Sequence, residues 1–170
     1  AHLDFVDERF GVTEGHGNVM RRIAEMPHVS GLAQIGIRGP GSSDPADFEK
    51  ARSMGSVIIG PREFRRIGVD AVLSRVPQAD VYYVTIDCDG FDPALMPGNG
   101  SPSPGGFTYH EVVDFLRALA FDRKNVVGVD FVEVNPTYDP TGVTQQTAAR
   151  VLLDFLGAIY KVREGTHATG

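Results

Sequence analysis

The run DVYYVTIDCDG (residues 80–90) opens with apolar and β-branched residues and closes on two aspartates and a glycine. A continuous apolar start of this kind reads as a strand of a parallel sheet, covered on both faces. Ligand sites in such sheets lie at the carboxyl ends of the strands. Side chains alternate along a strand, so Asp87 and Asp89 are expected to share one side while Cys88 packs into the core on the other. An isolated D-x-D also reads as a cap for the turn that follows, so its meaning depends on what else reaches the same place.

Working outward, FDPALMPGNGSPSPGGF (residues 91–107) carries too many glycines and prolines to be anything but loop. Thr108 and Glu111 form a capping-box pattern ahead of an amphipathic helix, YHEVVDFLRALAF (residues 109–121). A second buried strand, NVVGVDFVEV (residues 125–134), leads through a loop to a last helix over about residues 143–162, and REGTHATG (residues 163–170) reads as a frayed end. Upstream, GLAQIGIRG (residues 31–39) and SVIIG (residues 56–60) read as strands. A helix beginning at Asp44-Pro45 separates them, and a helix from Pro61 to Val76 follows the second. Strands and helices alternate, which predicts a three-layer α/β domain spanning residues 1–170. Its sheet is doubly wound and mainly parallel, with helices on both faces.

Composition excludes several classes. Sixteen basic against 22 acidic residues leave a formal charge of -6, which argues against nucleic acid as partner. No run of about 18 apolar residues is present, so no membrane-spanning helix is expected. The single cysteine excludes an internal disulfide framework and fits a reducing, cytoplasmic setting.

Polar residues fall at three expected strand ends: His2 and Asp4 in AHLD, Asp87 and Asp89, and Glu133. Carboxylates brought to ~4 Å at an effective dielectric of about 20 repel by roughly 4 kcal/mol per pair. A divalent cation removes that cost, and oxygen donors with one imidazole suit Mn²⁺. Asp92, before Pro93, reads as a turn former, and Asp130 as half of a buried ion pair. Arg21 and Arg22 read as a solvated helix face or subunit contact. His28, His110 and His167 fall in no constellation.

Together these motifs resemble the ureohydrolases, the family of arginase and agmatinase. AHLD is similar to the family's D-A-H-x-D segment, TIDCDGFDPALMPG (residues 85–98) to S-x-D-x-D-x-x-D-P-x-x-x-P-G with Thr85 in place of Ser, and VEVNP (residues 132–136) to E-V-N-P. GHGNVMRRI and QIGIRG lean toward the agmatinase side. The resemblance implies an arginase-like fold, two manganese ions, and His2, Asp4, Asp87 and Asp89 as metal ligands, with Asp87 bridging. It makes Glu133 the partner of a substrate guanidinium, His16 the acid/base beside the leaving amine, and Ser101 a substrate neighbour.

Two family ligands, a His in G-G-D-H and the Asp ahead of A-H-x-D, have no match here. The chain is therefore expected to be a carboxyl-terminal portion, incomplete on its N-terminal side. The implied activity is hydrolysis of a small guanidino compound, agmatine first, to urea and an amine by a homo-oligomer, trimer or hexamer. Guanidinobutyrate and guanidinopropionate stay open. Arginine is expected to be poor, because VTEGHGN (residues 12–18) lacks the arginase S-G-N-x-H-G pattern. Two alternatives stand beside this: a catalytically incomplete or structural member of the family, and a haloacid dehalogenase-type phosphatase. The latter leaves AHLD and EVNP unused.

Overall fold

The computed structural model describes residues 1–39, 41, 43–122 and 125–167. Among the described residues, four strands form two parallel pairs, β1 (Leu32–Ile35) with β2 (Ser56–Ile59) and β3 (Tyr82–Asp87) with β4 (Val126–Val132). Five α-helices accompany them among the same residues: α1 (Val19–Ala24), α2 (Pro45–Ser53), α3 (Pro61–Leu73), α4 (Tyr109–Asp122) and α5 (Val143–His167). Parallel pairing needs a crossover between partners. Here α2 joins β1 to β2, and α4 joins β3 to β4.

Local chemistry sets these elements. Asp44 accepts from the Ala46 and Asp47 amides while Asp47 accepts from the Asp44 amide, a reciprocal box with Pro45 in the first turn of α2. Before α4, the Thr108 amide donates to Glu111 at 2.7 Å, and the Glu111 amide donates back to the Thr108 hydroxyl at 3.4 Å, as expected. α3 stops at Leu73 rather than Val76, and Gly68, with φ of 79°, interrupts it. α5 runs past the expected end at Val162 to His167; residues 168–170 of the tail lie outside the described residues. The sequence reading had no α1, whose six residues are too few to show a period.

Three apolar clusters hold the layers together. Leu3, Phe5 and Ala51 pack with Met20, Phe48 and Ile58, so α1 and α2 cover one face of β1–β2. Ile59, Phe64, Val72 and Phe107 place α3 on the other face. Phe64 meets Phe107 and Phe115 edge-on at 4.8 and 5.9 Å, which ties α3 to α4. The largest cluster sets α4 and α5 against β3–β4 through Ile86, Leu116, Val126, Val151 and Phe155.

On β3, Tyr82, Val84 and Ile86 pack against α4 and α5, and Tyr83, on the opposite face, is 65% exposed.

The loop after β3 returns to the sheet through a close backbone approach. The Phe107 amide donates to Gly90 and the Asp92 amide to Phe107, both at 3.0 Å. A Cβ at Gly106 would sit 2.3 Å from the Phe91 carbonyl carbon, so only glycine fits. Asp92 accepts from the Ala94 and Gly105 amides at 3.1 Å and is a turn former, as read.

Candidate metal and guanidinium site

Residues 1–5 lie between the carboxyl ends of the two strand pairs. The Ala1 nitrogen donates to Gly36 at the end of β1 and to Asp89 beyond β3, and the Arg38 amide donates to the Ala1 carbonyl. Gln34 reaches the Leu3 carbonyl at 2.7 Å. His2 and Asp4 were expected at a strand end, yet this segment forms no ladder, and Asp4 has φ of 52°. A left-handed residue breaks the strand alternation, so the shared location of His2 and Asp4 comes from tertiary bonds. The Asp4 carbonyl accepts from the Met20 amide of α1 at 3.1 Å.

The D-x-D segment also bends. Asp87 ends β3, and Cys88–Gly90 is a 3₁₀ turn whose Asp89 amide donates to the Asp87 carboxylate at 2.8 Å. Strand alternation therefore stops at Asp87, and Asp89 reaches the site from the turn. Asp87 does cap the turn that follows, as the alternative reading of D-x-D expects. Cys88 is fully buried beside Met96, with its thiol pushed up to about 12 by burial and the neighbouring acids. We expect native protein to resist thiol reagents and to be labelled once per chain only after denaturation, which a colorimetric thiol titration reads directly.

His2, Asp4, Asp87, Asp89, His16, Ser101 and Glu133 all line one cavity of about 160 Å³, together with Arg9, Gly17 and Gly41. His2 donates from Nδ1 to Asp89 Oδ2 at 3.1 Å, and His16 Nδ1 lies 3.7 Å from Glu133 Oε1. Asp130 is outside this group. It accepts from the Tyr83 hydroxyl at 2.9 Å, which corrects the expected ion pair. Arg21 and Arg22 pair with Asp7 and Glu25, His110 stands edge-on to Tyr109, and none of these lines the cavity.

The electrostatics of the acidic end are unbalanced. Burial, then repulsion from Asp89, holds the Asp87 carboxyl above the usual range, and burial raises Asp4 as well. Asp89 accepts the His2 hydrogen bond, which raises the pKa of the imidazole. Asp89 is 3% exposed, and its Oδ1 has no hydrogen-bond partner among the described residues. A buried carboxylate oxygen without a donor costs free energy that a hard cation recovers. The donor set of three carboxylates and one imidazole thus fits a hard divalent ion. Among the described residues, however, no three of these groups converge as a metal-holding cluster as they stand.

Sequence reasoning missed the residues that position the site. Arg38 donates to the carbonyls of Gly36, Phe91, Ser103 and Pro104, pinning the loop that carries Ser101 to the end of β1. Its place in QIGIRG was the available signal. Asn18, buried, donates to the Val6 carbonyl at 2.8 Å and accepts from the Gly15 amide at 3.1 Å, fixing the loop of His16. Gly41 leaves room for His2, whose Cδ2 lies 2.9 Å from where a Cβ would be.

Comparison with known proteins identifies the family. The Arginase family model matches residues 1–157. The chain is 38% identical over 162 residues to a guanidinopropionase of Pseudomonas aeruginosa and 32% identical over 161 residues to a guanidinobutyrase of the same organism. Each match covers 92% of this chain and 50% of the relative, so the chain spans about half the length of the curated relatives it matches. The crystal structure of agmatine ureohydrolase of Thermoplasma volcanium superposes with a TM-score of 0.84 at 30% identity, over 97% of this chain and 54% of that one. With a family match over most of its length and an arginase-like α/β fold, the chain belongs to the arginase family.

Proposed function

We propose that the protein hydrolyses a small guanidino compound to urea and an amine, with His2, Asp4, Asp87 and Asp89 holding manganese. One observation carries this reading: these four residues, His16, Ser101 and Glu133 line the same cavity although they come from separate segments. When bound, two divalent ions there supply hydroxide at neutral pH and Lewis acidity, which the resonance-stabilised guanidinium requires.

The chain's own side chains account for the remaining work. Glu133 pairs with the planar cation through charge-assisted hydrogen bonds and orients its carbon toward the aspartates. Asp4 accepts a hydrogen bond from the attacking water. As the carbon becomes tetrahedral, His16 gives a proton to the departing nitrogen, and histidine is the side chain suited to that exchange near neutral pH. Water and the guanidinium thereby become urea and an alkylammonium. Ser101 borders the substrate.

The resemblance favours agmatine, while relatives named guanidinobutyrase and guanidinopropionase keep the guanidino acids in the set. The same resemblance supports a cytoplasmic homo-oligomer built from a single α/β domain. Among the described residues no helix is long and apolar enough to cross a membrane. The test is urea release from agmatine and from guanidinobutyrate with Mn²⁺ added, then again after chelation. Manganese-dependent urea with either compound supports the reading. Retained manganese with no urea from any guanidino compound favours the structural-member alternative.

A further inference from the structure

We infer that Arg9 receives an anionic tail group, so that the preferred substrates are ω-guanidino carboxylates rather than guanidino amines. This rests on the reading of the cavity as a guanidino hydrolase site. Among the described residues lining the cavity, Arg9 is the one permanent cation, set against Asp4, Asp87, Asp89 and Glu133. The proposed chemistry uses all four acids. Three meet cations and Glu133 meets the guanidinium. No lining acid is then left for an ammonium tail, whereas Arg9 has no carboxylate partner among the described residues.

The backbone around Arg9 is built at a cost. The Arg9 amide donates to Val12 at 2.9 Å and the Val12 amide donates back at 3.0 Å, closing a two-residue turn. Both central residues are left-handed, Phe10 at φ 54° and Gly11 at 78°. That is the pattern of a type I′ turn, which favours Asn, Asp or Gly and strains a phenylalanine. Among the described residues three non-glycine positions have positive φ: Asp4, Phe10 and Glu133. Two line the cavity and the third adjoins Arg9, a clustering typical of functional sites.

Phe10 is 93% exposed, so its burial does not explain the strain. Its ring centroid lies 5.4 Å from the Arg9 guanidinium carbon. A cation–π contact holds a guanidinium in place without neutralising it. The cation stays available, and a carboxylate is its natural bidentate partner. The cavity is smaller than the ~300–1,000 Å³ typical for drug-sized ligands, which suits a short chain between the guanidinium and the acid.

The test is calorimetric titration of 4-guanidinobutyrate and of agmatine into the manganese-supplied protein and its Arg9→Gln and Arg9→Lys variants, with urea release followed in parallel. Wild type should bind the acid at least tenfold more tightly than agmatine. Arg9→Gln should erase that preference, raising KM for the acid at least tenfold while kcat falls less. Arg9→Lys, which keeps the charge, should restore most of it. Equal binding of the two compounds, a preference for agmatine, or no binding of the acid overturns the inference, as does an Arg9→Gln variant that binds like wild type. Tight, Arg9-dependent binding of the acid with no urea released would count against the hydrolase reading alone.

Discussion

Asp89→Asn is expected to lower urea release by about 10³-fold or more, equivalent to roughly 4 kcal/mol at 1.36 kcal/mol per tenfold. The substitution keeps the shape of the side chain and removes its charge. Asp89 is where the site is least satisfied without a cation: one oxygen receives the His2 imidazole, and the other is buried with no donor among the described residues. An amide has a single neutral oxygen and competes poorly for a hard ion. Manganese content after desalting should fall in parallel with activity. Fold stability should respond differently. Asp87 and Asp89 repel each other in the metal-free protein, so the metal-free melting temperature should hold or rise. A variant that keeps full manganese and full activity would remove Asp89 from the ligand set, and a large fall in metal-free stability would make its role structural.

The largest stability effect is expected at Phe155. It is 1% exposed in the cluster that joins α4 and α5 to β3–β4, with Val151 four residues before and Ala158 three residues after it on the same helical face. Truncation to alanine removes the ring's burial and leaves a cavity that packed neighbours cannot close, at a cost of about 3–5 kcal/mol. For a chain of this size that lowers Tm by roughly 10 °C or more. Leu153, on the same helix, is 66% exposed, and its truncation should change stability by no more than about 0.5 kcal/mol. Denaturant melts of the two variants test the orientation of α5, and similar losses at both positions would refute it.

The alternation of elements, the strands themselves, the Thr108–Glu111 box and the buried Cys88 were legible because each depends on neighbours a few residues apart. Boundaries were less so. Gly68 interrupts α3 by adopting a conformation its surroundings impose, and α1 is too short to carry a period. His2 and Asp4 line one cavity with Asp87 and Asp89, but the backbone does not adopt the strand-end geometry that would have placed them there. The chain instead positions them through bonds spanning up to 88 residues, such as that from the Ala1 nitrogen to the Asp89 carbonyl.

The order of residues by itself determined the α/β class, the family, and which side chains could serve metal or guanidinium chemistry, since hydrophobic period and motif spacing are properties of the linear chain. Tertiary structure alone decided that Arg9 enters the same cavity and that Arg38 ties four carbonyls around the Ser101 loop. Those outcomes depend on which distant backbone groups meet, and no local pattern of residues encodes that meeting.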